Sequence, residues 1–345
     1  MPTFERSNGI FGSAMVLNPF ALTYLFVGTI SLLLIVAAAL SALYFHRDMK
    51  NREGADERAR AEIRIHLSLL FLFTAFLLRL ATWPLFYILL QSLVPVVPGA
   101  MCIYGVTQVM PVFVTFLQVL KPLAFFLIGG WLFFYGLDLS LRNRPLMNKS
   151  IRLLVIASAV ASIDGVAELL FIFLFSPPGV AVSCCTVVAD LVLPSRPLLP
   201  VPLLSAHYYG ALMAGYHGFS LGLVGLIGIL IWRKKTRRVW LTLVAIAAMM
   251  NGIIAYGAFK ESLGPCLMNL PDHHCLYCML QYRPISIGIV GLFVLGSFLA
   301  IWPLWLRRAA AENEAGERLT FLNLNLFKGA VACLLASWLM TVALV

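Results

Sequence analysis

Val109 to Gly136 reads VMPVFVTFLQVLKPLAFFLIGGWLFFYG, 28 residues with a single charged side chain, Lys121. At about 1.5 Å of rise per residue, such a helix exceeds the roughly 20 residues needed to cross a hydrocarbon core. Its apolar residues run on without alternation, so it does not read as a half-buried strand. In lipid a helix satisfies its own backbone polar groups. Residues 21–45, 66–93, 152–175, 208–232, 239–259, 285–306 and 321–345 have the same character. The expected fold is all-α: a polytopic integral membrane protein of about eight transmembrane helices, with the lipid bilayer as its main partner. The composition agrees. The chain is 61% hydrophobic and 12% charged, whereas soluble domains carry about 25% charged residues. Because Arg47, Lys50 and Arg52 follow the first run at once, it reads as an anchor and not as a cleaved leader.

The charges sort the connecting segments. Residues 46–65, 137–152, 233–238 and 307–320 hold 18 of the 25 Lys and Arg, against four (Arg6, Arg196, Lys260 and Arg283) in the alternate segments. Basic residues are retained on the cytoplasmic side. The sequence therefore predicts both termini and the loops near 93–108, 176–207 and 260–284 on the other face, with a bacterial inner membrane as the expected location. The net charge of +10 is thereby a topology signal, and nucleic acid is not an expected partner.

Six of the seven cysteines fall in those far-side loops: Cys102, Cys184, Cys185, Cys266, Cys275 and Cys278. The compartment is oxidising, so the residues are bridged, redox-active or metal-bound. An internal echo accompanies them. PGAMCIYGVTQVMP (98–111) and PDHHCLYCMLQYRP (271–284) share Pro, Cys, Tyr, Gln and Pro at an offset of 173 residues. Each copy is expected to open a span, the third and the seventh. The offset suggests a tandem four-plus-four parallel repeat. Its parts would be an N-terminal segment at 1–20, a first four-helix half at 21–175, a loop carrying Cys184-Cys185 at 176–207 and a second half at 208–345. Only the second copy completes a Cys-x-x-Cys, because Gly105 stands where Cys278 does.

A Cys-x-x-Cys at a helix start brings its first thiol near the positive end of the helix, which favours the thiolate. The segment Cys275-Leu-Tyr-Cys278-Met-Leu-Gln281-Tyr282-Arg283 resembles the Cys-x-x-Cys-x-x-Gln-Arg segment of the disulfide-bond formation protein B family. Those proteins, like the mechanistically related vitamin K epoxide reductases, pass electrons from thiols to a membrane quinone. The resemblance implies that Cys275 and Cys278 form a quinone-facing redox pair and that Arg283 holds a quinone oxygen. Gln281, Tyr282 and His274 would stand beside it. Cys184 and Cys185 would exchange electrons with a soluble thiol protein.

The same atoms permit other readings. His273, His274, Cys275, Cys278 and Cys102 suit a soft ion such as Cu or Zn, as in a transporter or metal-handling protein. A non-catalytic subunit of a membrane complex would need only structural disulfides, so whether the chain is an enzyme stays open. Within the spans, Arg79, Lys121, Asp164, Glu168, His217 and Asn251 form a set of intramembrane polar residues. Asp164 and Glu168 share a helix face, and Arg79 and Lys121 are their natural counter-ions. The set serves either a polar path or interhelical packing. His217, with no second histidine at equal depth, reads as a hydrogen-bonded structural residue.

Overall fold

The structure, a computed structural model, describes residues 18–51, 55–141, 145–177, 179, 181–182, 208–270, 273–310 and 312–344. Among the described residues every regular element is helical. Eight runs are long and apolar enough to cross a membrane: Pro19–Tyr44, Leu67–Val96, Pro111–Ser140, Met147–Leu174, Gly210–Trp232, Arg238–Met268, Ile285–Ala309 and Gly316–Leu344. The fold is thus that of an all-α integral membrane protein. The N-terminal segment up to residue 17, most of the 176–207 loop and the Cys184-Cys185 pair lie outside the described residues. Two compact units divide the chain: Met1–Leu132 with Asn148–Cys184, and Phe133–Met147 with Cys185–Val345.

The first unit is built on α1 (Pro19–Asn51), α2 (Ala55–Ser92), the short α3 (Ile103–Thr107), most of α4 (Pro111–Ser140) and α5 (Met147–Leu174). Asn18 caps α1, its Oδ1 accepting from the backbone N–H of Phe20 at 2.9 Å and of Ala21 at 3.4 Å. Pro19 takes the first helical position, where no N–H is needed. Asn18 Nδ2 also donates to Ser92 Oγ at 3.0 Å, tying the start of α1 to the end of α2, against which it packs lengthwise. Trp131 Nε1 donates to Ser150 O at 3.1 Å and fastens α4 to α5.

The second unit is a four-helix bundle of α6 (Tyr208–Trp232), α7 (Arg238–Ala258), α10 (Ile285–Ala309) and α11 (Glu312–Leu344). Each helix packs on two others, in the cyclic order α6, α7, α10, α11. Tyr216, Ile227, Val244, Phe327 and Leu334 fill its core. At Gly296 a Cβ would meet Leu334 Cγ at 2.8 Å, so only glycine lets α10 and α11 approach this closely. Thr236 and Thr320 meet at 3.4 Å. This brings the basic α6–α7 connection to the end of the bundle where Arg307 and Arg308 finish α10.

Two expectations are corrected at the opposite end. The sixth span does not stop at residue 259. It continues through a π-helical turn, Phe259–Leu263, into α8 (Gly264–Met268). Pro265 has no N–H for the carbonyl of Glu261, and its ring would clash there, so the helix widens by one residue instead of stopping. Cys266 accordingly sits on a helix and not in a loop. Nor does the Cys-x-x-Cys open the seventh span. It begins α9 (Leu276–Tyr282), a separate helix of seven residues. Arg283 precedes Pro284 and is held extended at φ −127° and ψ 92°, as a residue before proline is, so α9 ends there and α10 starts afresh. The first copy behaves alike: Cys102 precedes the five-residue α3, and the span α4 begins at Pro111.

Candidate functional site

In the second unit the site grows from α9. Cys275 is its N-cap residue, and its carbonyl accepts from Met279 N at 3.1 Å. Three residues on, Cys278 comes round to the same face, and the two sulfurs lie within 4.8 Å of one another. Both side chains are half-buried. That spacing suits closure of a disulfide or two ligands of one soft ion. At seven residues α9 supplies much less of a helix dipole than the spanning helix that the sequence led us to expect.

The other face of α9 closes an apolar cleft. Leu276, Met279 and Leu280 line it together with Gly252 of α7, Phe259 of the π-turn and Phe293 of α10. Its volume is about 370 Å³, and no charged side chain reaches it. Tyr256 and Ser297 are its only side chains with hydroxyls, and Ser297 Oγ is committed to Phe293 O at 2.8 Å. Gln281, Tyr282 and Arg283 are exposed and do not line the cleft. The guanidinium of Arg283 sits over the Tyr282 ring at 5.5 Å.

Glu261, which the sequence reading passed over, stands on the π-turn with 2% exposure. Its Oε1 lies 3.1 Å from Lys260 Nζ and its Oε2 3.5 Å from Nδ1 of His274, the residue before Cys275. Lys260, counted from sequence as a loop cation, is therefore partnered on the same helical turn. The signal for Glu261 was present: a lone acid directly after an apolar span, in a chain with 15 acids. The backbone N–H of His273 donates to Leu270 O at 3.1 Å in the turn leading to α9. Cys266 is exposed, and Cys333 lies within α11. Cys102, in the first unit, is 2% exposed.

The intramembrane polar residues separate between the units. In the first, Arg79 of α2 and Lys121 of α4 close a quartet with Asp164 and Glu168 of α5. Arg79 Nε donates to Asp164 Oδ2 at 3.1 Å, and its Nη1 lies 2.5 Å from Glu168 Oε2. Lys121 donates to Glu168 Oε1 and lies 3.4 Å from Asp164 Oδ1. Tyr24 OH of α1 accepts from Lys121 at 3.3 Å, and Thr82 Oγ1 donates to Glu168 at 3.3 Å. Two cations meet two carboxylates, all buried, so the quartet is neutral as a set. Beside it remains a cavity of about 10 Å³, room for about one water. In the second unit, His217 Nδ1 accepts from Trp338 Nε1 at 2.9 Å, the hydrogen-bonded role read for it. Asn251 Oδ1 accepts from Ser220 Oγ at 3.1 Å. The chain matches no family model, no curated protein and no solved structure.

Proposed function

We propose that this protein is a membrane thiol–disulfide oxidoreductase that exchanges electrons between Cys275/Cys278 and a membrane quinone. One arrangement carries the reading. The short α9 presents two sulfurs within 4.8 Å of each other and puts Leu276, Met279 and Leu280 of the same helix into the wall of an uncharged cleft. A quinone is a neutral, flat ring on an apolar tail. A volume of about 370 Å³ falls at the lower end of the range for small-molecule sites, about 300–1,000 Å³. Oxidation of the two thiols forms one S–S bond and releases two electrons and two protons. Reduction of the quinone to hydroquinone takes up both electrons and both protons. Glu261 and His274, at the same end of the bundle, are groups that hold a proton during the exchange. A soluble thiol protein on the non-cytoplasmic side is the partner for the pair.

The spacing of the sulfurs also favours a second reading, capture of a soft ion between them. One experiment separates the two. Purified protein is equilibrated in graded thiol redox buffers, its reactive cysteines are counted by maleimide mass tagging, and a short-chain benzoquinone is added. The proposal expects a two-electron couple at Cys275–Cys278 that turns to disulfide when the quinone is added and vanishes in Cys278→Ser. A pair that ignores the quinone, in protein that carries a stoichiometric soft metal, would select the ion-capture reading.

A further inference from the structure

The offset of 173 residues that relates the two cysteine segments also relates two cavities. Around the small cavity of the first unit, α2 contributes Arg79, Thr82 and Trp83. Advanced by 173, these become Gly252, Ala255 and Tyr256, all on the wall of the cleft in the second unit. From α4 come Lys121, Ala124, Phe125 and Ile128. The same step gives Val294, Ser297, Phe298 and Ile301 of α10, again all on the cleft wall. Helical periodicity explains why several positions on one helix match once one does. It does not explain why two helices and a separate loop motif share one offset.

Beneath each cavity the pattern continues. Phe86 corresponds to Phe259, and each packs on a tyrosine from the first helix of its half: Tyr24 at 6.2 Å and Tyr216 at 5.2 Å between ring centroids. Asp164 and Glu168 correspond to Ser337 and Thr341. Tyr24 OH touches Lys121 at 3.3 Å, whereas Tyr216 OH meets Thr341 Oγ1 at 3.4 Å.

We infer that the two halves carry the same ligand chamber, plugged in the first by Arg79 and Lys121 locked to Asp164 and Glu168, and left open in the second, where Gly252 and Val294 stand, to take a neutral apolar molecule of the quinone class. The volumes follow from the residues: about 10 Å³ where the cation side chains fill the space, about 370 Å³ where they are missing. The plug belongs to the set of four, because a lone charge at mid-membrane costs about 2.5–3.5 kcal/mol or more. Accordingly the second half lacks both signs at once. Val294 and Gly252 decide that the second chamber is open. The inference rests on the quinone reading only for the class of ligand, and needs no electron transfer.

The test is residue exchange, read with a photoreactive azido-benzoquinone and peptide mapping of the label on full-length purified protein. Wild type labels within 249–301 and not within 79–128. The variant R79G/K121V/D164S/E168T, which carries the second half's residues at the first half's positions, gains label within 79–128 to about the level of the second chamber, within roughly twofold. A folded variant with no label there overturns the inference. If that variant does not fold, the neutral pair K121V/E168T, which keeps Arg79 on Asp164, is read by the same two outcomes. In the reverse direction, a Cβ at Gly252 meets nothing within 4 Å, so G252L fills the cleft without a clash. It lowers label in 249–301 by at least about tenfold, the equivalent of about 1.4 kcal/mol. Undiminished label also overturns the inference. Label in the expected places with thiols inert to quinone would fail the proposed function and leave the inference standing. The opposite pattern would fail the inference alone.

Discussion

A buried ion quartet stabilises only as a set. Desolvation of each charge is offset by its partners, so removing one member leaves an uncompensated charge in an apolar medium. Asp164→Asn strands the positive charge of Arg79, whose Nε donates to Asp164 at 3.1 Å. A loss of about 3–5 kcal/mol in folding stability is expected. Lys121→Met combined with Glu168→Gln removes one charge of each sign and should cost clearly less than either single change. Chemical unfolding of the purified variants in mixed micelles measures all four. Equal losses for single and double changes would mean that the charges do not act as partners. The members of this quartet were legible in sequence because charges are rare inside apolar runs, and the four-residue spacing of Asp164 and Glu168 puts them on one face. Two other contacts were not legible. His217 and Trp338 are 121 residues apart in the chain, and no local pattern announces their bond at 2.9 Å. Glu261 escaped because hydropathy ended the span at 259, which turned a buried carboxylate into an apparent loop acid.

At the scale of elements, proline does the punctuating. Hydropathy located all eight spans to within a few residues at most ends, since the cost of a polar residue in lipid writes the span directly into composition. It had no means of seeing Pro265 convert a helix end into a π-turn, or Pro284 cut the Cys-x-x-Cys helix from α10. Both depend on which carbonyl lacks a donor. The second break carries a prediction. In Pro284→Ala, Arg283 is released from its extended conformation, and α9 and α10 can join into one helix. The joined helix would turn Leu276, Met279 and Leu280 away from the cleft and carry Cys275 and Cys278 with them. Quinone-dependent oxidation of the pair is expected to fall by about tenfold or more, with helicity by circular dichroism unchanged or slightly higher. Oxidation at the wild-type rate would show that the break is not needed to hold the thiols at the cleft.

At the scale of the whole molecule, the decisive quantity is which end of each unit faces which compartment. The second unit gathers Arg233, Lys234, Lys235, Arg237, Arg238, Arg307 and Arg308 at one end of its bundle. α7 then runs the bundle's length to Glu261 and, beyond it, Cys275 and Cys278. The separation matters because cations resist translocation while thiols become useful where an oxidant or partner can reach them. We expect the basic end to be cytoplasmic and the thiol end to face the opposite compartment. In a background with every other cysteine changed to serine, Cys275 should react with a membrane-impermeant maleimide in right-side-out vesicles. Lys234→Cys, on the exposed α6–α7 connection, should react only in inverted ones. The reverse pattern would put the thiols in a reducing compartment. A soluble oxidised partner would then be lost, and quinone-linked disulfide chemistry would have to give way to capture of a soft ion by the same two sulfurs.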